Sequence, residues 1–438
     1  EDLQNTGSFK VRGAYIKIAS LSEKEREAGV IASSAGNHAQ GVALAARAFG
    51  VPATIVMPAG APLSKVMATR ELGANVVLHG KVYDDAYEHA RLLQQQTGAT
   101  FIHPFDDPMV IAGQGTIGLE IMDDLPDVNT IVVPIGGGGL ASGVAAAVKM
   151  LHPNVRIVGV QAAGAAGMKA SLDAGHVVSL DNAKTIADGI AVKQPGALTF
   201  ELCRQYVDEV VTVDDDEIAQ AILFLMERGK MVAEGAGAAP VAAIINKKFD
   251  TTGKVAAVIS GGNIDVTMIS RIIEKGLLRA GRVSKLRIIM QDRPGQLELV
   301  SSIIGGNGAN VMAIHHDRTD VDLDIRDAIL EITMETQDRE HAGRIVDGLL
   351  RLDGGVGDDV AHALRAIELA DVLDDLEPSL VVEVHVDIGH LGALDREEPL
   401  EHEAVLERVE GGDVHGVGHD GARGRTTSRT DADAVLLG

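Results

Sequence analysis

Short β-branched runs alternate with helical stretches from the first residues to about residue 282, and this alternation constrains the fold most. The strand candidates are residues 29–33, 53–57, 75–78, 130–134, 155–160, 210–213 and 256–260. Helical patterns lie between them, as at 38–49, 83–96 and 217–228. Apolar strands without polar alternation need cover on both faces, so the pattern reads as α/β with mainly parallel sheets. One stretch, residues 130–148, carries no charge and is long enough to suggest a membrane span. Pro134 and five glycines interrupt it, and its texture passes from strand to helix. It reads as a buried strand-to-helix unit, so no membrane role is expected.

The pattern changes near Val283. Residues 286–290, 310–315 and 328–336 read as strands, 297–305 and 339–352 as helices, with a turn at Asp292-Arg293-Pro294-Gly295. That β-α-β-β-α order is a ferredoxin-like α+β unit, over 283–352, short of its last strand. Residues 353–438 differ again. They contain no Lys, Phe, Tyr, Met, Asn, Gln or Cys, and hold 21 Asp/Glu against 6 Arg. Gly, Ala, Val, Asp and Glu dominate, the five residues whose codons begin with G. An out-of-frame reading of a GC-rich gene would look like this, and a natural acidic tail is the alternative. Its six histidines lack paired metal-ligand spacing. The segment is assigned no function.

A formal charge of −24 opposes nucleic-acid binding, and aromatics at 3% leave little to stack bases. Cys203 is the only cysteine, so no internal disulfide can form and a reducing cytoplasm is expected. The chain opens on Glu1 rather than Met, which suggests that residues preceding it are missing.

Chemistry is concentrated in small-residue segments. The first is Gly7-Ser8-Phe9-Lys10-Val11-Arg12-Gly13-Ala14. A lysine is usually a solvated surface charge. Placed in an apolar cleft it loses affinity for its proton and becomes an amine nucleophile, able to form a Schiff base. Phe9 is suited to pack on a flat ring beside it.

The second, Ser33-Ser34-Ala35-Gly36-Asn37-His38-Ala39-Gln40-Gly41, follows a strand and opens a helix. It reads either as an anion site made of free N–H groups or as an ordinary Asn-capped helix. The third is Pro134-Ile135-Gly136-Gly137-Gly138-Gly139-Leu140. Four glycines cost backbone entropy, and a phosphate wrapped by amides gives a reason for them. Gly136, Gly138 and Ala141 also fit a dinucleotide fingerprint, but Gln161 stands where an acidic ribose ligand is needed. A simple phosphate fits better. The fourth, Ser260-Gly261-Gly262-Asn263, ends a strand where α/β ligands sit. A fifth, Glu234-Gly235-Ala236-Gly237-Ala238, reads at least as well as a helix cap as a direct participant.

In this order, the segments resemble the serine/threonine dehydratase family of fold-type II pyridoxal 5′-phosphate (PLP) enzymes, over residues 1 to about 275. The resemblance implies two open parallel-sheet subdomains of the tryptophan synthase β type, within residues 1–282. It implies that Lys10 holds PLP through a Schiff base and that Phe9 packs on the ring. Asn37 would meet the ring hydroxyl, Gly136, Gly137, Gly138, Gly139 and Leu140 the phosphate, and Ser260 the pyridine nitrogen. Ser34, Ala35, Gly36, Asn37 and His38 would receive the substrate carboxylate. The family has several dozen residues before its lysine, which are absent here. The implied reaction is dehydration and deamination of threonine or serine.

The unit at 283–352 resembles ACT amino-acid-sensing modules, as in regulated threonine dehydratases, with isoleucine as the expected effector. A homodimer or homotetramer is the expected assembly. Two alternatives stand. A serine racemase of the same family needs an acid on the face opposite the lysine, where racemase relatives carry Ser and this chain has Ala35. A non-catalytic nucleotide-binding or amino-acid-sensing protein would leave Lys10 inert.

Overall fold

Four apolar or small residues in succession need cover on both faces, and Val30–Ser33 (β1) is buried at every position. This holds in a computed structural model that describes residues 1–321, 323–351, 381–386 and 434–435. β1 lies in a parallel sheet with Ala53–Met57 (β2), Asn75–Leu78 (β3) and Thr100–Phe101 (β4), in the order β3-β2-β1-β4. Its side chains alternate between two cores. Val30 and Ala32 pack with Ala39, Val42 and Ala46 of the helix Asn37–Ala48. Ile31 faces the other way, against Val56 and against Ala86 and Ala90 of Tyr83–Thr97.

A second parallel sheet holds Thr130–Pro134 (β5), Arg156–Ala162 (β6), Glu209–Val213 (β7) and Val255–Ala257 (β8), in the order β8-β5-β6-β7. A two-residue strand, Ala434–Val435, pairs with the outer edge of β8. Ile131 and Val133 of β5 pack with Val144 and Val148 of the helix Gly139–Leu151. Val132 faces Ala238 and Ala242 of Gly235–Ile245 on the opposite side. Both sheets therefore carry helices on two faces, as the α/β reading requires.

Pro108–Asp124 ties the sheets together. Asp107 caps it, accepting from Met109 N–H at 2.8 Å, and Pro108 fills the first turn, where an N–H is not needed. Its glycines permit backbone contact: a Cβ on Gly113 would lie 2.7 Å from the Arg12 carbonyl oxygen, and one on Gly115 2.8 Å from that of Gly143. The helices Lys10–Ala19 and Gly139–Leu151 are thus held against one spine.

The expected strands 53–57, 75–78 and 130–134 are found with those bounds. The expected strand 256–260 is instead Val255–Ala257, because at Ser260 the carbonyl leaves the ladder and accepts from Phe9 N–H at 3.1 Å. The expected helix 217–228 is α-helical over Asp215–Phe224 and relaxes into a π turn at Leu225–Gly229. The strand β4 is not among those suggested by sequence, since two residues carry no readable alternation.

The chain divides into two units with the boundary after Ile273. In the second, Val283–Gln291 (β9), Asn310–Asp317 (β10) and Asp327–Glu335 (β11) form an antiparallel sheet ordered β10-β11-β9. Val381–Val386 (β12) lies parallel beside β9, on the edge that a unit ending at 352 leaves open. Alternate residues of β9, Leu286, Ile288 and Met290, pack with Val300 and Ile304 of the helix Gln296–Gly306. Ile345 and Leu349 of Arg339–Leu350 complete that core. Apart from the two short strands named, the acidic segment 353–438 lies outside the described residues. Among the described residues no helix is long and apolar enough to cross a membrane.

Candidate active site

In each sheet of the first unit the strand order reverses beside one strand, since β1 runs on to β2 and has β4 on its other side, and β5 runs on to β6 and has β8 on its other side; such a reversal opens a crevice at the strand C-termini. In the first sheet this falls between β1 and β4, in the second between β5 and β8. The loops after these four strands are 34–36, 103–106, 136–138 and 260–263. Three of them are segments singled out by sequence.

Lys10 reaches this place through backbone pairing. Gly7 takes a positive φ of 64° and its carbonyl accepts from Gly262 N–H at 2.9 Å. Ser8 bridges Gly261, and Phe9 donates to the Ser260 carbonyl. Lys10 then opens its helix with Nζ buried, donating to the Pro104 carbonyl at 3.0 Å and lying 5.0 Å from the Phe9 ring centroid. Burial lowers its pKa from the usual 10.5 to about 8, against the opposing charge of Glu234. The shift brings the amine toward the neutral form that a nucleophile requires.

The loop after β1 is shaped by Gly36 N–H, which donates to Ser34 Oγ at 3.1 Å. The N–H groups of Ala35, Asn37 and His38 have no acceptor among the described residues, leaving donors at a helix start. The Asn37 amide is fixed on both sides. Its Nδ2 donates to Glu234 Oε1 at 2.8 Å and its Oδ1 accepts from Asn263 Nδ2 at 2.6 Å. Asn263 also donates to the Thr6 carbonyl at 2.7 Å. No side-chain cap bond forms at Gly36, so the Asn-capped alternative does not describe this helix. The His38 ring is buried with Nε2 2.8 Å from the Ile102 carbonyl oxygen, and burial holds its pKa near 3. Any anion contact at His38 therefore comes from its backbone N–H.

In the glycine run, Gly138 has φ 99°. Thr199 Oγ1 donates to the Gly137 carbonyl at 2.6 Å, turning that oxygen away from the crevice. The N–H groups from Gly136 to Ala141 find no acceptor among the described residues. Leu140 anchors the turn in the core with Ile131 and Val144. Ser260 is 1% exposed beside Phe9.

Sequence reasoning left one group of residues undecided and missed another. Glu234 is not a cap: its side chain makes no bond to its own helix and faces Asn37. Burial raises its pKa, partly offset by the Asn37 hydrogen bond. An acidic residue heading the otherwise small and apolar Gly235–Ile245 was the available signal. The other group is the loop after β4, His103-Pro104-Phe105-Asp106. The Phe105 ring covers Gly137, where a Cβ would lie 2.5 Å from ring atoms. Among the described residues no cluster of three His, Cys, Asp or Glu could hold a metal, and the Cys203 thiol is buried and pushed up to about 12.

Known proteins resemble this chain over most of the first unit. The family described as "Pyridoxal-phosphate dependent enzyme" matches residues 1–261. The L-threonine ammonia-lyase of Thermotoga maritima is 58% identical over 346 residues, 79% of this chain and 86% of that protein. The processed form of tomato (Solanum lycopersicum) threonine deaminase isoform 2 superposes with a TM-score of 0.61 at 44% identity, covering 63% of this chain and 81% of its own. Maize serine racemase superposes at 0.60 with 37% identity, covering 63% and 86%. The chain belongs to the family of pyridoxal-phosphate dependent enzymes.

Proposed function

We infer that the protein is a threonine ammonia-lyase, converting L-threonine to 2-oxobutanoate and ammonia and L-serine to pyruvate and ammonia. The observation carrying this reading is one buried amine, Lys10 Nζ, set in a crevice with two helix starts whose N–H groups are free. The name and high identity of the Thermotoga relative support the substrate.

The residues fit pyridoxal phosphate. A phosphate suits the free amides of Gly136 to Gly139 and Leu140, where added Cβ atoms would strike neighbouring groups. Lys10 would bind the aldehyde carbon, Asn37 the ring hydroxyl and Ser260 the pyridine nitrogen, with Phe9 flanking the ring. When bound, the cofactor supplies an electron sink for charge at the substrate Cα.

The chain's own groups do the rest. In the loop from Ser34 through Gly36 to His38, the N–H groups of Ala35, Asn37 and His38 hold the substrate carboxylate and so orient Cα. Lys10 Nζ, as a neutral amine, would take the Cα proton. Ser260 carries no charge and would offer the pyridine nitrogen a hydroxyl rather than a carboxylate, a setting suited to elimination of the β-hydroxyl. Ala35 presents a methyl group and supplies no proton, so dehydration is favoured over racemisation. Borohydride reduction of the holoenzyme followed by peptide mass mapping tests the assignment. A pyridoxyl group on Lys10 is expected, and the label on another lysine would overturn it.

Residues 283–352 act in this reading as an ACT-like regulatory domain, with isoleucine lowering threonine affinity. The amphipathic helices and antiparallel sheet support it. Coupling would be about 1–3 kcal/mol. Threonine kinetics with and without millimolar isoleucine, on the whole chain and on one cut after Ala280, test it. An equal response in both would place the effect elsewhere. A homodimer or homotetramer in the cytoplasm completes the proposal, the lone cysteine supporting the compartment.

A further inference from the structure

The loop after β4 touches both halves of the crevice and has no role so far. Its four residues each make a different contact. His103 Nδ1 accepts from Asp106 N–H at 2.8 Å and Phe105 N–H at 3.3 Å. The Pro104 carbonyl accepts a hydrogen bond from Lys10 Nζ. Phe105 sets its ring over Gly137, and its Cβ would lie 2.8 Å from a Cβ on Gly139. Asp106 accepts N–H groups of Ala197, Leu198 and Thr199, at 3.2, 3.0 and 3.1 Å. Thr199 in turn holds the Gly137 carbonyl.

We propose that His103 is a positioning residue whose neutral ring folds this loop back on itself, placing the Pro104 carbonyl at Lys10 and the Phe105 ring on the glycine turn. Backbone N–H groups only donate, so Nδ1 must carry its lone pair and the ring hydrogen must sit on Nε2. The surroundings suit that state. Burial lowers the His103 pKa, Lys10 and Arg91 push the same way, and Asp106 and Asp107 oppose them. His38, itself neutral, lies close enough to interact, and the Phe105 ring meets the His103 ring edge-on at 4.7 Å. Without the Nδ1 acceptor, two half-buried N–H groups lose their partner and the tight turn loses its reason to close.

The proposal rests on Lys10 as the cofactor lysine, and the test separates the two. His103→Asn keeps an acceptor, Oδ1, close to the place of Nδ1, whereas His103→Leu fills the space without one. Both are prepared as full-length holoenzyme. Three quantities are read: the rate of cofactor loss to a scavenger, threonine kcat and KM, and hydrogen exchange at the Phe105 and Asp106 amides. His103→Leu should speed amide exchange and cofactor loss at least about tenfold. It should also lower kcat by up to about 100-fold, the size expected for a shift of about 1 Å at a reacting group. His103→Asn should stay within about threefold of the parent on all three, on the same scale of misplacement. Parent-like exchange in His103→Leu overturns the proposal, as does an Asn variant as defective as Leu at the same melting temperature. Should His103→Leu not fold, the parent still decides. Its Phe105 and Asp106 amides must exchange far below the unprotected rate, and unprotected exchange overturns the proposal. Protection at those amides without a visible cofactor band would instead sink the Lys10 assignment alone.

Discussion

Glu234 Oε1 accepts from Asn37 Nδ2 at 2.8 Å, joining the helix start after β1 to residues 197 positions later. The contact crosses from the loop after β1 of the first sheet to the start of a helix packed on the second. Asn37 is held on its other side by Asn263, so the amide orientation is determined by its neighbours.

Glu234→Ala should therefore leave a half-buried amide hydrogen unpaired and cost about 1 kcal/mol. Glu234→Gln retains an acceptor oxygen and should cost less than half as much. Urea unfolding of both variants measures the difference. Equal costs would mean that the Asn37 bond contributes nothing beyond packing.

Lys10 predicts a pH dependence of cofactor capture. Only the neutral amine attacks an aldehyde, and its pKa is lowered to about 8. The rate of pyridoxal phosphate uptake by apoenzyme should rise through about pH 8 and level above it. The folded value lies below the unfolded 10.5, so the folded apoprotein binds fewer protons between the two. Its stability accordingly rises from about pH 8 to 10.5 and is lowest below 8. An uptake midpoint near 10 would contradict the buried placement of Nζ.

Gly139→Ala tests the close approach at the glycine turn. The added Cβ would lie 2.8 Å from Phe105 Cβ and 2.9 Å from its Cα, which is backbone and cannot swing aside. Overpacking of this kind costs about 1–3 kcal/mol. Thermal melting should fall and the holoenzyme should lose its cofactor faster. Unchanged melting and retention would show that the loop at Phe105 yields freely.

The readability of this site from sequence follows its chain geometry. Lys10, the loop after β1 and the four glycines are each continuous segments, with the small residues and the helix start written side by side. Glu234 stayed undecided between cap and participant because its partner, Asn37, is remote and spacing carries no trace of the bond. The loop at His103 was missed for another reason. The preceding strand, Thr100–Phe101, is too short to show alternation, so nothing marked the strand end from which a ligand crevice is recognised. Strand bounds failed where the backbone found other partners, as at Ser260, whose carbonyl turns to Phe9. In the second unit, the buried alternation of β9 announced its sheet, whereas nothing in residues 353–380 announced the pairing of β12.

The central claim is that Lys10 carries a threonine ammonia-lyase reaction. Its most direct test is the rate of 2-oxobutanoate formation from L-threonine by the whole chain with pyridoxal phosphate, set against Lys10→Ala. The parent should turn over threonine, and the variant should be slower by at least about 1000-fold, since it loses both the cofactor attachment and the proton acceptor at Cα. Parent-like turnover by Lys10→Ala, or a parent that binds the cofactor and leaves threonine unchanged, would contradict the account.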